Sequence, residues 1–317
     1  MRSILLLLSA GLFVSCFLPS TVGSATRNER LRMKIKEQRD VINTEKLQAQ
    51  QVLSLDERAL ARNGKSRGLI APVATSVISI ATDAVKKIIA NDQKKYTAAY
   101  QFGLTDLYFY DQLSNEGPFD PVGMQFSGFK LTRTFLNKLG VEDTALIVDF
   151  SLDTANSAEI INNSMFRLRL KTFELRYAKA KVAANDQKKL NLDFEITFLT
   201  SYVNNNGNIF DSVVLGKFYL FLRNAPLDRK TPGYDEYYSK MQDSLLTGKS
   251  FIVPRSFGYH REPEGGLRQG YSQGAYSIQV KVKESSKNNF VNKLVIENAS
   301  LFIDASTNQL KTTLGKY

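Results

Sequence analysis

A chain of 317 residues with 43% apolar side chains can bury a sizeable core, in one large domain or two ordinary ones. The net charge of +11 favours acidic partners: an anionic surface, an acidic glycan or the acidic face of a protein. A single histidine and a single cysteine, the latter at position 16, leave no material for a thiol nucleophile, a Cys or His zinc cage or a His-rich metal site once the N-terminus is removed.

The N-terminus has the pattern of an export signal. Arg2 supplies the positive charge, residues 4–18 form an apolar run, Pro19 breaks it, and Gly23, Ser24 and Ala25 offer small side chains for cleavage. Residues 1–25 are therefore expected to be a signal peptide. The run is short for a membrane span, and no later stretch reaches about 18 clean apolar residues, so no transmembrane helix is expected in the mature chain. Cys16 has two readings: the lipidated cysteine of a bacterial lipoprotein, or an apolar signal residue discarded on cleavage. Either way the mature chain has no disulfide and must be held by packing.

Residues 26–67 read as a basic helical arm and linker. Glu, Gln, Arg, Lys, Leu and Ala dominate, Leu31, Ile35 and Ile42 form a thin apolar stripe, and the Asn63-Gly64 pair ends the pattern. Residues 68–89 read as an apolar helix. Pro72 suits its first turn, and Val73, Val77, Ile80, Ala84 and Ile88 recur at helical spacing.

From Tyr96 the period changes to two, the mark of strands with one dry and one wet face. Leu146, Val148, Phe150 and Leu152 alternate, as do Phe166, Leu168 and Leu170, and then Phe173, Leu175 and Tyr177 in the opposite phase. That slip predicts a bulge near Lys171 and Thr172. Leu190, Leu192, Phe194, Ile196 and Phe198 make another strand. Pairing it with the strand before predicts Arg176 opposite Asp193 or Glu195. Residues 213–223, 275–284 and 294–304 complete the set. The fold class expected is mainly β with N-terminal helices, an antiparallel β-sandwich-like body.

The body carries signs of duplication. Ala-Asn-Asp-Gln-Lys-Lys occurs at both 90–95 and 184–189, and Phe119-Asp120-Pro121-Val122 is echoed by Phe210-Asp211-Ser212-Val213. Two β repeats follow, 90–183 and 184–317, as tandem domains or pseudo-symmetric halves of one sandwich. A duplicated turn aspartate reads as an Asx turn before it reads as a catalyst. The asparagine-rich 204–208 segment reads as a hairpin turn before a calcium loop.

The second repeat holds a long inserted loop, 224–274, rich in tyrosine and arginine, the residues favoured at interfaces. Tyr234, Tyr237, Tyr238, Arg255, Phe257, Tyr259, Arg261, Arg268 and Tyr271 are its candidate partner-binding residues. Residues 243–246 suggest a short helix inside it. No catalytic residue, metal site or cofactor is expected, since no phosphate-binding glycine motif and no nucleophile elbow occurs. The functional expectation is an exported, non-enzymatic binding or assembly protein, periplasmic, at the outer surface or extracellular. It would contact a protein partner or its own copies through the arm and the 224–274 loop. Export argues against nucleic acid. Two other readings stay open: an exported carboxylate-dependent hydrolase acting on glycans, which needs only two acidic residues, and a membrane-acting secreted protein using residues 68–90.

Overall fold

The computed structural model describes residues 28–39, 41–42, 96–155, 157–182, 189–262 and 265–286. The expected signal peptide with Cys16, the apolar 68–89 segment expected as a helix, most of the arm and the strand expected at 294–304 lie outside these residues.

The arm does not begin as a helix. Arg30–Glu37 is a strand, β1, paired antiparallel with β3. Its sequence alternates basic and apolar residues, Arg30, Arg32, Lys34 and Lys36 against Leu31, Met33 and Ile35, a period of two that the helix-favouring composition obscures. Pairing with a strand about a hundred residues away overrides the local helix propensity.

The remaining strands follow in chain order. They are β2 (Thr97–Tyr108), β3 (Phe126–Leu136), β4 (Glu142–Leu152), β5 (Met165–Phe166), β6 (Leu168–Leu175), β7 (Lys189–Val203) and β8 (Ile209–Pro226). After these come β9 (Ser244–Leu245), β10 (Thr247–Phe251), β11 (Phe257–Arg261), β12 (Leu267–Tyr271) and β13 (Ala275–Ser285). Two short helices interrupt them, α1 (Ser157–Asn163) between β4 and β5, and α2 (Tyr234–Met241) between β8 and β9. One sheet has the order β1-β3-β4-β6-β9 and the other β2-β13-β7-β8-β10-β5, while β11 and β12 pair with each other as a separate hairpin. The pairs are all antiparallel.

The two large sheets pack face to face. Phe126 of the first meets Phe198 of the second at 5.6 Å between ring centroids, and Phe150 and Phe173 both meet Phe194, at 6.4 and 6.2 Å. Withdrawing each such ring from water contributes roughly 2–3 kcal/mol. Along one flank the chain itself steps between layers, from β5 to β6 and from β9 to β10, as sheet corners do. Buried residues from both proposed repeats, Tyr100 to Val182 and Leu190 to Val282, belong to one continuous core.

The bulge expected near Lys171 is present: Asp149 pairs with Thr172 and Phe150 with Leu170, which leaves Lys171 as the extra residue. The expected neighbour of β6 is corrected. β6 and β7 lie in opposite sheets, so Arg176 does not face Asp193 or Glu195. Arg176 binds Glu174 instead, while Asp193 takes Arg223 and Glu195 takes Lys217. The inner faces of β6 and β7 are both apolar and satisfy each other across the core as well as they would side by side. Periodicity alone does not separate those two arrangements.

Candidate functional site

The strands run between two poles. At the lower pole β3 turns into β4, β6 ends, and β1 and β2 begin. At the upper pole β2 ends, β7 turns into β8, and β13 begins. A buried arginine stands at each.

At the lower pole Arg133 and Glu284 bridge the two sheets with both side chains sealed from solvent. Glu284 accepts from the Tyr100 hydroxyl at 2.8 Å, from Arg133 Nη2 at 3.2 Å, and from the backbone N–H groups of Lys179 and Ala180 at 2.6 and 2.9 Å. Arg133 also reaches Glu29, just before β1, at 3.1 Å, and lies over the Tyr100 ring at 5.0 Å. Burial, then the Glu284 charge, pushes the Tyr100 phenol well above its ordinary pKa, so it donates as a neutral group. A buried carboxylate with this many donors is a structural tie, since its lone pairs are already engaged.

At the upper pole the sealed arginine is Arg255. Its guanidinium lies 3.8 Å from the centre of the Tyr110 ring, donates to Asp120 Oδ2 at 3.1 Å and the Ser272 carbonyl at 2.9 Å, and also donates to the Gln112 carbonyl. Its own N–H donates to the Pro118 carbonyl at 2.8 Å. Asp120 in turn caps the N–H groups of Val122 and Gly123 through its other oxygen, the Asx turn its sequence position suggests. Gly123 is needed beside it, because a Cβ there would sit 2.9 Å from both Arg255 Nη2 and Asp120 Oδ2. One side chain thus ties the 110–123 segment to the 253–273 segment.

Above this node three loops converge. The 110–123 segment joins the β11–β12 hairpin through reciprocal backbone hydrogen bonds between Ser114 and Tyr271, 3.1 and 2.8 Å. The β7–β8 turn joins it through the Val203 N–H, which donates to Ser256 Oγ at 3.0 Å. That turn closes as its asparagines suggest, with Gly207 at φ 79° and its N–H on the Asn204 carbonyl at 3.0 Å. Large apolar side chains stand outward here: Ile209 is 79% exposed, Leu267 74%, Tyr259 68%, Val122 55% and Phe119 50%.

Comparison of the chain with family models, with characterised proteins and with solved structures gives no match.

The 224–274 segment is therefore not one loop, and its nine candidate residues do not form one surface. Tyr234, Tyr237 and Tyr238 lie on α2 against the flank of β6 and β8. There Tyr238 stacks on Phe173 at 5.7 Å and donates to the Pro226 carbonyl at 2.7 Å. Burial pushes Tyr237 up to about 12. Residues 243–246, expected as a short helix, hold β9; the helix comes earlier, in α2, where acidic residues fill the first turn and Lys240 the last. Arg255 is interior, and Tyr271 is buried against Phe257 at 5.2 Å. Of the nine, Tyr259, Arg261 and Arg268 remain exposed, all on the β11–β12 hairpin. Register puts Tyr259 opposite Gln269, whose amide donates to the phenol at 2.9 Å, and Arg261 opposite Leu267. Arg268 faces Glu262 at 3.7 Å on the other side.

Sequence reasoning missed Leu267, Ile209 and the outward role of Phe119 and Val122. A signal for two of these, Phe119 and Val122, existed in the echoed Phe-Asp-x-Val motifs, whose first copy lies in the 110–123 segment and whose second lies within β8. Leu267 follows the Gly265-Gly266 pair, where a lone large apolar residue at a turn has no core to enter. Among the described residues, no helix is long and apolar enough to cross a membrane.

Proposed function

We propose that this protein is an exported, non-enzymatic binding or assembly component and that it contacts its partner through the upper pole. One observation carries the reading. Ile209, Tyr259 and Leu267 are each more than two thirds exposed, yet they stand on loops tied at their bases, the β11–β12 hairpin to the 110–123 segment through the buried Arg255 and the β7–β8 turn through Ser256. Exposed apolar side chains on slack loops fold back or aggregate; held on a braced platform they form a preorganised contact surface, with less ordering cost on association. Tyr259, flanked by Arg261 and Gln269, has the amphipathic character of an interface anchor. The export signal at residues 1–25 supplies the location, in the envelope or outside the cell.

The test is site-specific photo-crosslinking in the native compartment. A photoreactive residue at 259 or 267 is expected to give one discrete adduct, and the same probe at Lys281, on the outer face of the second sheet, none. Diffuse or equal labelling at all three positions would sink the reading. Sedimentation of the adduct separates a second copy of this chain from a different protein.

A further inference from the structure

The two large sheets end in four outer strands, β1 and β9 in the first, β2 and β5 in the second. Natural sheets guard such edges with charge or brevity. β1 carries four cations in eight residues, and β5 and β9 are two residues each. β2 is guarded by neither. From Ala98 to Leu104 it holds no charge and no proline, and it pairs with β13 residue for residue, without a bulge. Among the described residues no strand pairs with its other side.

The core is also incompletely covered along this flank. β1 lies beside β2 in the other layer. Its inward row is Leu31, Met33 and Ile35, opposite Arg133, Leu131 and Phe129 of β3. Leu131 and Phe129 are sealed, while Leu31 is 37% exposed and Met33 and Ile35 are only partly buried. One more strand outside β2 would lie over that row and give the edge its main-chain partners.

We infer that this seam takes residues 73–82 of the same chain, paired antiparallel with β2. β1 and the buried Ile42 end at the upper pole, and β2 begins at the lower pole. Residues 43–95 therefore join the two ends of this flank, and a strand laid along it in chain order runs opposite to β2. The tether holds the segment at the edge at an effective concentration on the order of millimolar. Residues 68–82 carry no charge, which suits an uncharged edge and an apolar row. Six of the residues 73–82 are β-branched, which favours a strand over the helix that their spacing suggests. Pro72 stands just before them, where no ladder hydrogen bond is required. Setting Ile78 and Ile80 opposite Phe102 and Tyr100 turns both isoleucines toward β1, and it sets Ser79 opposite Gln101 on the outer face. A second copy pairing through β2 would instead bring two cationic β1 strands side by side about the twofold axis.

The chain from residue 26 onward holds no cysteine, so engineered pairs report without background. In the full mature chain, S79C/Q101C and A81C/A99C are each expected to form an intramolecular disulfide under mild oxidation, read by intact mass and by faster migration on a non-reducing gel. I78C/Q101C and I80C/Q101C, whose thiols face opposite sides of the sheet, are expected to form none. That period of two identifies a strand. The inference is overturned if no pair links, or if positions 78, 79 and 80 link alike, as a helix or a loosely tethered run would give. It also fails if the bond joins two chains, which assigns the edge to a second copy. Loss of the bond on adding phosphatidylglycerol vesicles would overturn it in favour of a lipid-bound segment.

Discussion

At the scale of single residues, two arginines and their carboxylates hold the ends of the sandwich. Arg255 contacts Asp120, two carbonyls and the face of Tyr110, none of which is near it in sequence. Replacing Asp120 with alanine leaves a sealed guanidinium without its counter-charge. Stability is expected to fall by about 3 kcal/mol or more, read as a lower urea midpoint with an unchanged slope. A loss below about 1 kcal/mol would show that the carbonyls alone hold the arginine. The tyrosines give a second expectation. Tyr100, Tyr110, Tyr237 and Tyr238 all have their phenols raised, burial being the first cause in each. In the unfolded chain they ionise near pH 10, while the folded chain keeps its protons to higher pH. The unfolded state therefore binds fewer protons above that value. The stabilisation is complete below about pH 10 and is lost as pH climbs through the folded values. Alkaline unfolding should accompany tyrosinate absorbance in one transition, and Y237F should make it shallower. Tyrosinate forming well before the fold is lost would contradict this. None of this was legible beforehand: Arg255, Arg261 and Arg268 look alike in the sequence, and only packing makes the first interior.

At the scale of elements, alternation was the dependable signal, and it failed where composition spoke against it. β4, β7 and β13 follow their apolar period closely, and even the bulge at Lys171 is written in a phase slip. β1 was hidden because arginine, lysine, leucine and methionine favour helices, and because the partner that makes it a strand, β3, lies far along the chain. Close approach of strands sets a further demand. Gly128 sits at φ 138°, and a Cβ there would run into the Phe150 carbonyl and lie 2.8 Å from Ser151 Cα. G128A is expected to cost more than about 2 kcal/mol, or to prevent folding, measured by thermal or urea denaturation. The same change at Gly117, which has open space around it and no positive φ, is expected to shift stability by no more than about 0.5 kcal/mol. If both glycines tolerate alanine equally, the β3–β4 approach is looser than described.

At the scale of the whole molecule, which loops share a pole decides where the exposed apolar side chains gather. L267D and I209D alter side chains that touch little of the core. Their urea midpoints are expected to stay within about 0.5 kcal/mol of the parent, while the crosslinked adduct from position 259 disappears. A drop in stability equal to that of D120A would mean the apolar pole belongs to the interior. Raising the salt concentration is expected to leave this apolar contact largely unchanged.

The sequence by itself determined that the chain would build an antiparallel β body, where most of its strands lie, and where the phase of one would slip. These are properties of local period, since side chains alternate along a strand whatever it packs against. Only the tertiary structure decided which sheet each strand joins, that Arg255 and Arg133 go inside, and that the tyrosines and arginines of 224–274 part company. An apolar face needs only a cover and accepts one across the core as readily as beside it, so the choice rests on contacts between residues far apart in the chain.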